Sequence, residues 1–274
     1  MKIDLTDKTI LITGGSSGIG AAAAMALRKL NANLIITGRS AETKKLADEL
    51  DCDYFLVDYN KFSSVRKFAQ DLLNNYQRID VLVNNVGGII GERRITEDGH
   101  EMTLQVNHLS GFLLTQLLQE RLEESKAIVI NTSSVANNQG KIDFEDIQHE
   151  KSYKAFKVYG AVKQMNILHA MEISRRYNHV KAASFHPGIV ITEFAREGNF
   201  FMKLFYKFPL RHLYMITPEK GADTMVWLIT HPDQWKAGEY YDKRKPGRKN
   251  PQVSDSVAYK LWEVSEVLTS SENE

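Results

Sequence analysis

Residues 9–20 read TILITGGSSGIG: a short apolar run breaks into glycine and serine, then leads into an alanine-rich segment. The run 9–13 is rich in isoleucine and leucine without polar alternation, the pattern of a strand buried on both faces. The segment that follows, GIGAAAAMALRKL, is made of strong helix formers. Glycines at a strand-to-helix turn permit tight backbone geometry. They also let an anion approach the free N–H groups and the positive end of the helix dipole. Gly14, Ser16, Ser17, Gly18, Ile19 and Gly20 are therefore the candidate pyrophosphate contacts. The spacing is G-x-x-x-G-x-G rather than GxGxxG. A glycine-rich turn in any α/β protein could look similar, but closure of the first strand favours nucleotide binding.

Outward from this turn, the same rhythm repeats. Further strand candidates are 33–37, 54–57, 80–83, 127–132 and 180–186. Helix-like segments lie between them at 18–30, 41–50, 61–76, 97–125 and 157–177. Strand and helix alternating in this way imply right-handed crossovers and an α/β fold with a doubly wound parallel sheet. No linker, repeat or low-complexity block interrupts the 274 residues, so a single domain over 1–274 is expected. Residues 194–216 and the basic turn DKRKPGRKNP at 242–251 depart from the rhythm.

Composition excludes several classes. The formal net charge of +1 gives no global field for nucleic acid or an anionic membrane. The lone Cys52 excludes an internal disulfide framework and fits a reducing compartment. The acidic residues Asp4 and Asp7 near the N-terminus do not suit a signal peptide. No run of eighteen apolar residues suggests a spanning helix, and a cytoplasmic location is expected. His108 and His186 adjoin motif residues, but the histidines are scattered and no metal is expected.

The second strand ends IITGRS, with no acid to hold a ribose 2′-hydroxyl and with Arg39 at the turn. An arginine there suits a 2′-phosphate, so NADP(H) is preferred over NAD(H). Asp58 closes the third strand, placed either to meet the adenine amino group or to cap the next helix. Farther on, KSYKAFKVYGAVK (151–163) carries two tyrosine–lysine pairs at helical spacing, Tyr153–Lys157 and Tyr159–Lys163. Either could share a helix face and form an acid/base unit. With eleven tyrosines in the chain, one such pair arises by chance, and the pattern alone does not choose between them.

The first-turn motif TGGSSGIG, the sequence NNVG at 84–87 after the fourth strand, and Tyr-x-x-x-Lys on a later helix together resemble the short-chain dehydrogenase/reductase family. Residues 96–115, 130–147, 186–194 and 258–268 are similar to the branch containing retinol dehydrogenases. The resemblance spans nearly the whole chain. It implies a Rossmann-type fold and an oxidoreductase that moves a hydride between NADP(H) and a carbonyl or alcohol. It also implies cofactor contacts from Asn85, Val86 and Gly87. Val86 departs from the usual alanine, a change tolerated if that contact is through backbone.

The resemblance places a catalytic serine at the end of the fifth strand, on Ser134 rather than Ser133. Ser134 lies twenty-five positions before Tyr159, the interval this branch shows, and Tyr153 is six positions too early. Gly160 and Ala161 are small enough to let the helix press close to a nicotinamide. A free tyrosine has a pKa near 10, and the Lys163 ammonium one turn away would stabilise its phenolate. Lys163 is also implied to bond the nicotinamide ribose, and Asn107 to hold a water in the family's proton relay. Thr192 would bond the carboxamide, with Pro187 and Gly188 shaping the turn that reaches it. The segment 199–216 is apolar and basic, expected as part of a substrate lid over 194–216 for a lipophilic aldehyde, ketone or alcohol. Its amphipathic surface would also suit a membrane surface or the second subunit of a homodimer. A catalytically weak NADP(H)-binding sensor or scaffold on the same fold is the alternative reading.

Overall fold

Alternation along β1 (Thr9–Ile12) sends Ile10 and Ile12 to one face of the sheet and Leu11 to the other, all fully buried. In the computed structural model of the chain, whose described residues are 3–190 and 216–270, β1 lies inside an eight-stranded sheet. Its order is β3-β2-β1-β4-β5-β6-β7-β8. The other strands are β2 (Asn33–Gly38), β3 (Asp53–Leu56), β4 (Val81–Asn84), β5 (Ile128–Thr132), β6 (Lys181–His186), β7 (Tyr240–Asp242) and β8 (Lys245–Pro246). Every pairing is parallel except β7 with β8. Strand order reverses between β1 and β4, where open α/β sheets leave a ligand crevice at their carboxyl ends.

Helices cover both faces. One core joins Leu11, Ile35, Leu82 and Val129 to α3 (Phe62–Asn75), α5 (Ser110–Leu117), α7 (Ala155–Arg176) and α9 (Asp255–Thr269). The other joins Ile10, Ile12, Ile36, Val83 and Phe185 to α1 (Gly18–Arg28), α2 (Ala41–Leu50) and α8 (Pro218–Thr230). Burial on both faces explains why these strands lack polar alternation. At the start of α8, the Thr217 hydroxyl accepts the Lys220 N–H, and proline occupies the first helical turn.

The segment expected as one helix over 97–125 is broken. Glu101 accepts the N–H groups of Thr103 and Leu104, both at 2.8 Å, and so starts α4 (Met102–Leu104). A π turn at Gln105–Leu109 follows, then α5, and the chain breaks again at Leu118 before α6 (Gln119–Glu124). The basic stretch at 242–251, which departs from the strand–helix rhythm, contributes to the β7–β8 hairpin. Its tight turn holds Lys243 and Arg244 at positive φ. Arg244 pairs with Asp223 of α8, and Lys249 pairs with Glu239. Of the expected lid, residues 194–215 lie outside the described residues. Flanking residues Val190 and Ile216 form a parallel bridge. Among the described residues, no helix is long and apolar enough to cross a membrane.

Candidate active site

The loops after β1 and β4 form one hydrogen-bonded unit. Thr13 Oγ1 donates to Val83 O at 3.0 Å and accepts the N–H groups of Asn85 and Val86. The Asn85 side chain returns the contact, its Nδ2 donating to Thr13 O at 2.9 Å and Gly14 O at 3.3 Å. Thr37 Oγ1 accepts Gly14 N and meets the Tyr59 hydroxyl, pinning the loop to β2. Gly14 and Gly18 have φ of +63° and +54°, where a side chain is strained. A Cβ at Gly20 would sit 2.3 Å from Gly14 O. Val86 packs a methyl against this cradle, close enough to lie 3.1 Å from a Cβ at Gly14.

Helix α1 opens above the cradle. Its N-cap, Ser17, is exposed and makes no capping hydrogen bond, and its first turn has no acid. Uncapped N–H groups with the positive dipole end fit a pyrophosphate. Ser16 is half-buried against Gly38, and Ile19 packs toward Gly221 of α8. Arg39 follows β2 as an exposed side chain, in no ion pair with the described residues. The Asp58 carboxylate accepts both the N–H and the Nδ2 of Asn60. It does not cap α3, because Asp98 takes the Phe62 N–H at 2.8 Å.

Across the crevice, Tyr159 and Lys163 share a face of α7. Both are buried, the lysine to 1% exposure, and Lys163 Nζ lies 5.4 Å from the centre of the Tyr159 ring. The ammonium donates to Thr132 O at 3.2 Å, and burial lowers its pKa to about 7. A Cβ at Gly87 would be 3.0 Å from this Nζ and 2.4 Å from Asn107 Oδ1, so glycine brings the β4 loop down onto both groups. Asn107 sits in the π turn. Its Oδ1 accepts Gly88 N, while its Nδ2 donates to Gly88 O and Thr103 O.

The two serines after β5 diverge. Buried Ser133 donates to Lys163 O at 2.6 Å and fastens the strand to α7. Ser134 is half-buried and accepts Ala136 N at 3.2 Å, opening the 3-10 turn Val135–Gln139. Gly160 has a different reason from the expected approach to nicotinamide. A Cβ there would meet Ala136 O at 2.5 Å and Gly140 N at 2.8 Å, so it is the Ser134 loop that presses on the helix.

Tyr153 precedes α7. Its hydroxyl donates to Ile90 O and meets Thr103 Oγ1, while Lys157 is exposed. Beyond β6, Gly188 has φ of +89°, and a Cβ there would lie 2.5 Å from Ile216. His186 Nδ1 accepts Val135 N at 3.3 Å, and burial pushes its pKa down to about 4. Thr192 lies outside the described residues. Among the described residues no His, Cys, Asp or Glu cluster could hold a metal.

The roles of Thr13, Thr37 and Asn166 escaped the sequence reading, which weighed Ser133 only as the alternative to Ser134. Thr13 ends a strand as ordinary threonines do, and the others reveal themselves only through partners distant in sequence.

Comparison with known proteins shows the family to which the chain belongs. A profile for short chain dehydrogenases matches residues 8–200. A Streptomyces sp. (strain C5) protein, DnrU, provisionally named a daunorubicin C-13 ketoreductase, is 40% identical, with 95% of this chain and 92% of that protein covered. Retinol dehydrogenase 14 of Mus musculus is 37% identical over 95% of this chain and 85% of its own length. The crystal structure of an uncharacterised protein from Mycobacterium paratuberculosis superposes with a TM-score of 0.79 at 27% identity, covering 97% of this chain and 94% of that one. The chain therefore belongs to the short-chain dehydrogenase/reductase family, similar to its retinol dehydrogenases, and is an oxidoreductase that interconverts carbonyl and alcohol with a nicotinamide cofactor.

Proposed function

We propose that this oxidoreductase uses NADP(H) and acts on a lipophilic aldehyde or ketone and the corresponding alcohol, with Tyr159 as its acid/base group. The observation that carries this reading is Lys163, an almost fully buried lysine 5.4 Å from the Tyr159 ring. Placing an ammonium in the interior opposes stability. Such a position is understandable where its charge serves an adjacent phenol.

When bound, the nicotinamide supplies or accepts the hydride at the substrate carbon. The remaining work belongs to the chain. Ser134 Oγ holds the substrate oxygen by a hydrogen bond. In reduction the Tyr159 hydroxyl gives that oxygen its proton; in oxidation the phenolate takes a proton from the alcohol. Lys163 stabilises the phenolate and bonds the nicotinamide ribose. Asn107 keeps the Gly87–Gly88 loop against the lysine, and its position at the π turn suits a water on the proton path. Gly14, Ser16, Ser17, Gly18, Ile19 and Gly20 take the pyrophosphate. Asn85, Val86 and Gly87 flank the cofactor, as do Pro187 and Gly188, with Thr192 on the carboxamide.

Two features support the finer specificity. Arg39, in no ion pair with the described residues, follows β2 where an acid would select NAD(H), which suits a 2′-phosphate. Val135, Phe156 and Ile189, respectively beside Ser134, one turn before Tyr159 and beside Gly188, are exposed at 44%, 48% and 48%. Three exposed large apolar side chains close in sequence to the proposed reacting groups suit an apolar substrate. A panel of aldehydes and ketones of rising chain length, assayed with NADPH and with NADH, tests this. Efficiency rising with apolar length and favouring NADPH is expected. A preference for short polar carbonyls, or for NADH, contradicts it.

A further inference from the structure

Below the tyrosine–lysine pair lies a buried polar network whose centre, Asn166, has no part in the mechanism above. Asn166, 5% exposed, is three residues beyond Lys163 on α7. Its Nδ2 donates to Thr132 O at 3.0 Å and to Asn107 O at 3.0 Å, using both hydrogens. Thr132 O is the carbonyl that also holds the Lys163 ammonium. Asn107 O belongs to the π turn, where Ser110 N reaches back to Gln105 O in place of the regular α-helical partner. One carboxamide thus ties together the end of β5, the π turn and α7.

The orientation of that carboxamide is itself held. Asn166 Oδ1 faces His108 Nδ1 at 3.4 Å, and His108 Nε2 meets Ser265 Oγ of α9 at 3.0 Å. Burial lowers the His108 pKa to about 4, so the imidazole is neutral and has a single N–H. Ser265 Oγ also lies 2.8 Å from Leu261 O, so its single proton goes either to that carbonyl or to Nε2; when it goes to Nε2, the imidazole proton sits on Nδ1 and Oδ1 gains a donor. Asn131 Nδ2 also donates to Asn166 O at 3.1 Å.

We infer that Asn166 is a positioning residue for Lys163: by clamping Thr132 O and Asn107 O, it fixes where the ammonium sits beneath Tyr159. This rests on the acid/base reading of Tyr159 and Lys163. Without the clamp, the two carbonyls lose a common donor and Nζ loses its fixed acceptor geometry. A misplacement of about 1 Å at a reacting group costs on the order of 100-fold in rate. Because Asn166 is buried and its two amide hydrogens are committed to backbone carbonyls, its removal should act on kcat and leave binding nearly intact. Among the described residues, the titratable groups seen to act with the ammonium are Tyr159 on its own helix and His108 on the π turn.

The test uses the full chain with NADPH and a medium-chain aliphatic aldehyde. Asn166→Leu keeps the volume and removes the donors. Asn166→Ser is a milder change, whose hydroxyl in a helix tends to bond its own preceding turn. Lys163→Ala is measured in parallel. The expected result is a kcat lower by about 10- to 100-fold, with KM and NADPH Kd changed by less than about threefold. The limb of the kcat–pH profile governed by the tyrosine–lysine pair should also be displaced. A folded variant with wild-type kcat and an unshifted profile overturns the inference, as does loss of folding in both variants, which would make Asn166 a core residue only. If Lys163→Ala itself retains turnover, the acid/base reading fails instead.

Discussion

Replacing Lys163 with methionine should end turnover and yet stabilise the cofactor-free protein. The lysine is almost fully buried, its hydrogen-bond acceptor is the neutral Thr132 O, and burial brings its pKa from the ordinary 10.5 to about 7. At about 1.4 kcal/mol per tenfold change in proton affinity, that difference corresponds to about 5 kcal/mol against the charged form as an upper figure. Losing the bond to Thr132 O returns about 1 kcal/mol, and local relaxation absorbs more, so a net gain of about 2–4 kcal/mol is expected near pH 6. The sign follows from proton linkage. Below the folded pKa of about 7 both folded and unfolded chains carry the proton, and the penalty is fully present. Between about 7 and 10.5 the unfolded chain binds the proton that the folded chain has lost, so wild-type stability rises with pH. Urea unfolding of wild type and Lys163→Met at about pH 6 and about pH 9 reads the difference directly. More than half of the variant's advantage should vanish at the higher pH. A difference that stays constant with pH, or a methionine variant less stable at the lower pH, would refute the reasoning.

Other substitutions probe separate parts of the site. Arg39→Ala should weaken NADPH binding by about tenfold or more while changing NADH binding little, as titration calorimetry can measure; equal weakening would make Arg39 a bystander. Gly160→Ala forces a methyl to within 2.5 Å of Ala136 O. It should cost about 1–3 kcal/mol in urea unfolding and lower kcat by shifting the Ser134 loop. Tyr153→Phe loses the bonds to Ile90 O and Thr103. We expect about 1 kcal/mol less stability with kcat unchanged, and a collapse of kcat would reassign the acid/base role.

The alternating order of strands and helices was legible because parallel strands buried on both faces leave uninterrupted apolar runs, as β1 and β2 do. The β7–β8 hairpin was not. Its strands have three and two residues, one of them basic and exposed, and no periodicity survives at that length. The break in the 97–125 segment was equally hidden. Its helix formers run on past Leu118, while the cause of its late start is a buried Glu101 reaching forward to Thr103 and Leu104. In the site, the glycine cradle is a local pattern; the tyrosine–lysine spacing is local too, but preferring Tyr159–Lys163 to Tyr153–Lys157 took the family resemblance and the interval back to Ser134. The role of Gly160 could not be read locally, because what fills the space beside it comes from Ala136 and Gly140, some twenty positions away. Asn166 looked like an ordinary polar residue on a helix; its partners Thr132 and Asn107 lie on other elements. Asp58 illustrates the reverse case, where a plausible local cap is displaced by Asp98 from a different loop.

The most direct test of the account compares wild type with Tyr159→Phe in NADPH oxidation by a lipophilic aldehyde, alongside NADPH affinity measured by calorimetry. Tyr159 is buried beside Lys163, and the substitution removes one hydroxyl from an otherwise unchanged pocket. The account predicts loss of turnover by about 1,000-fold or more with NADPH affinity within a few-fold of wild type. Turnover of the phenylalanine variant comparable to wild type would contradict it.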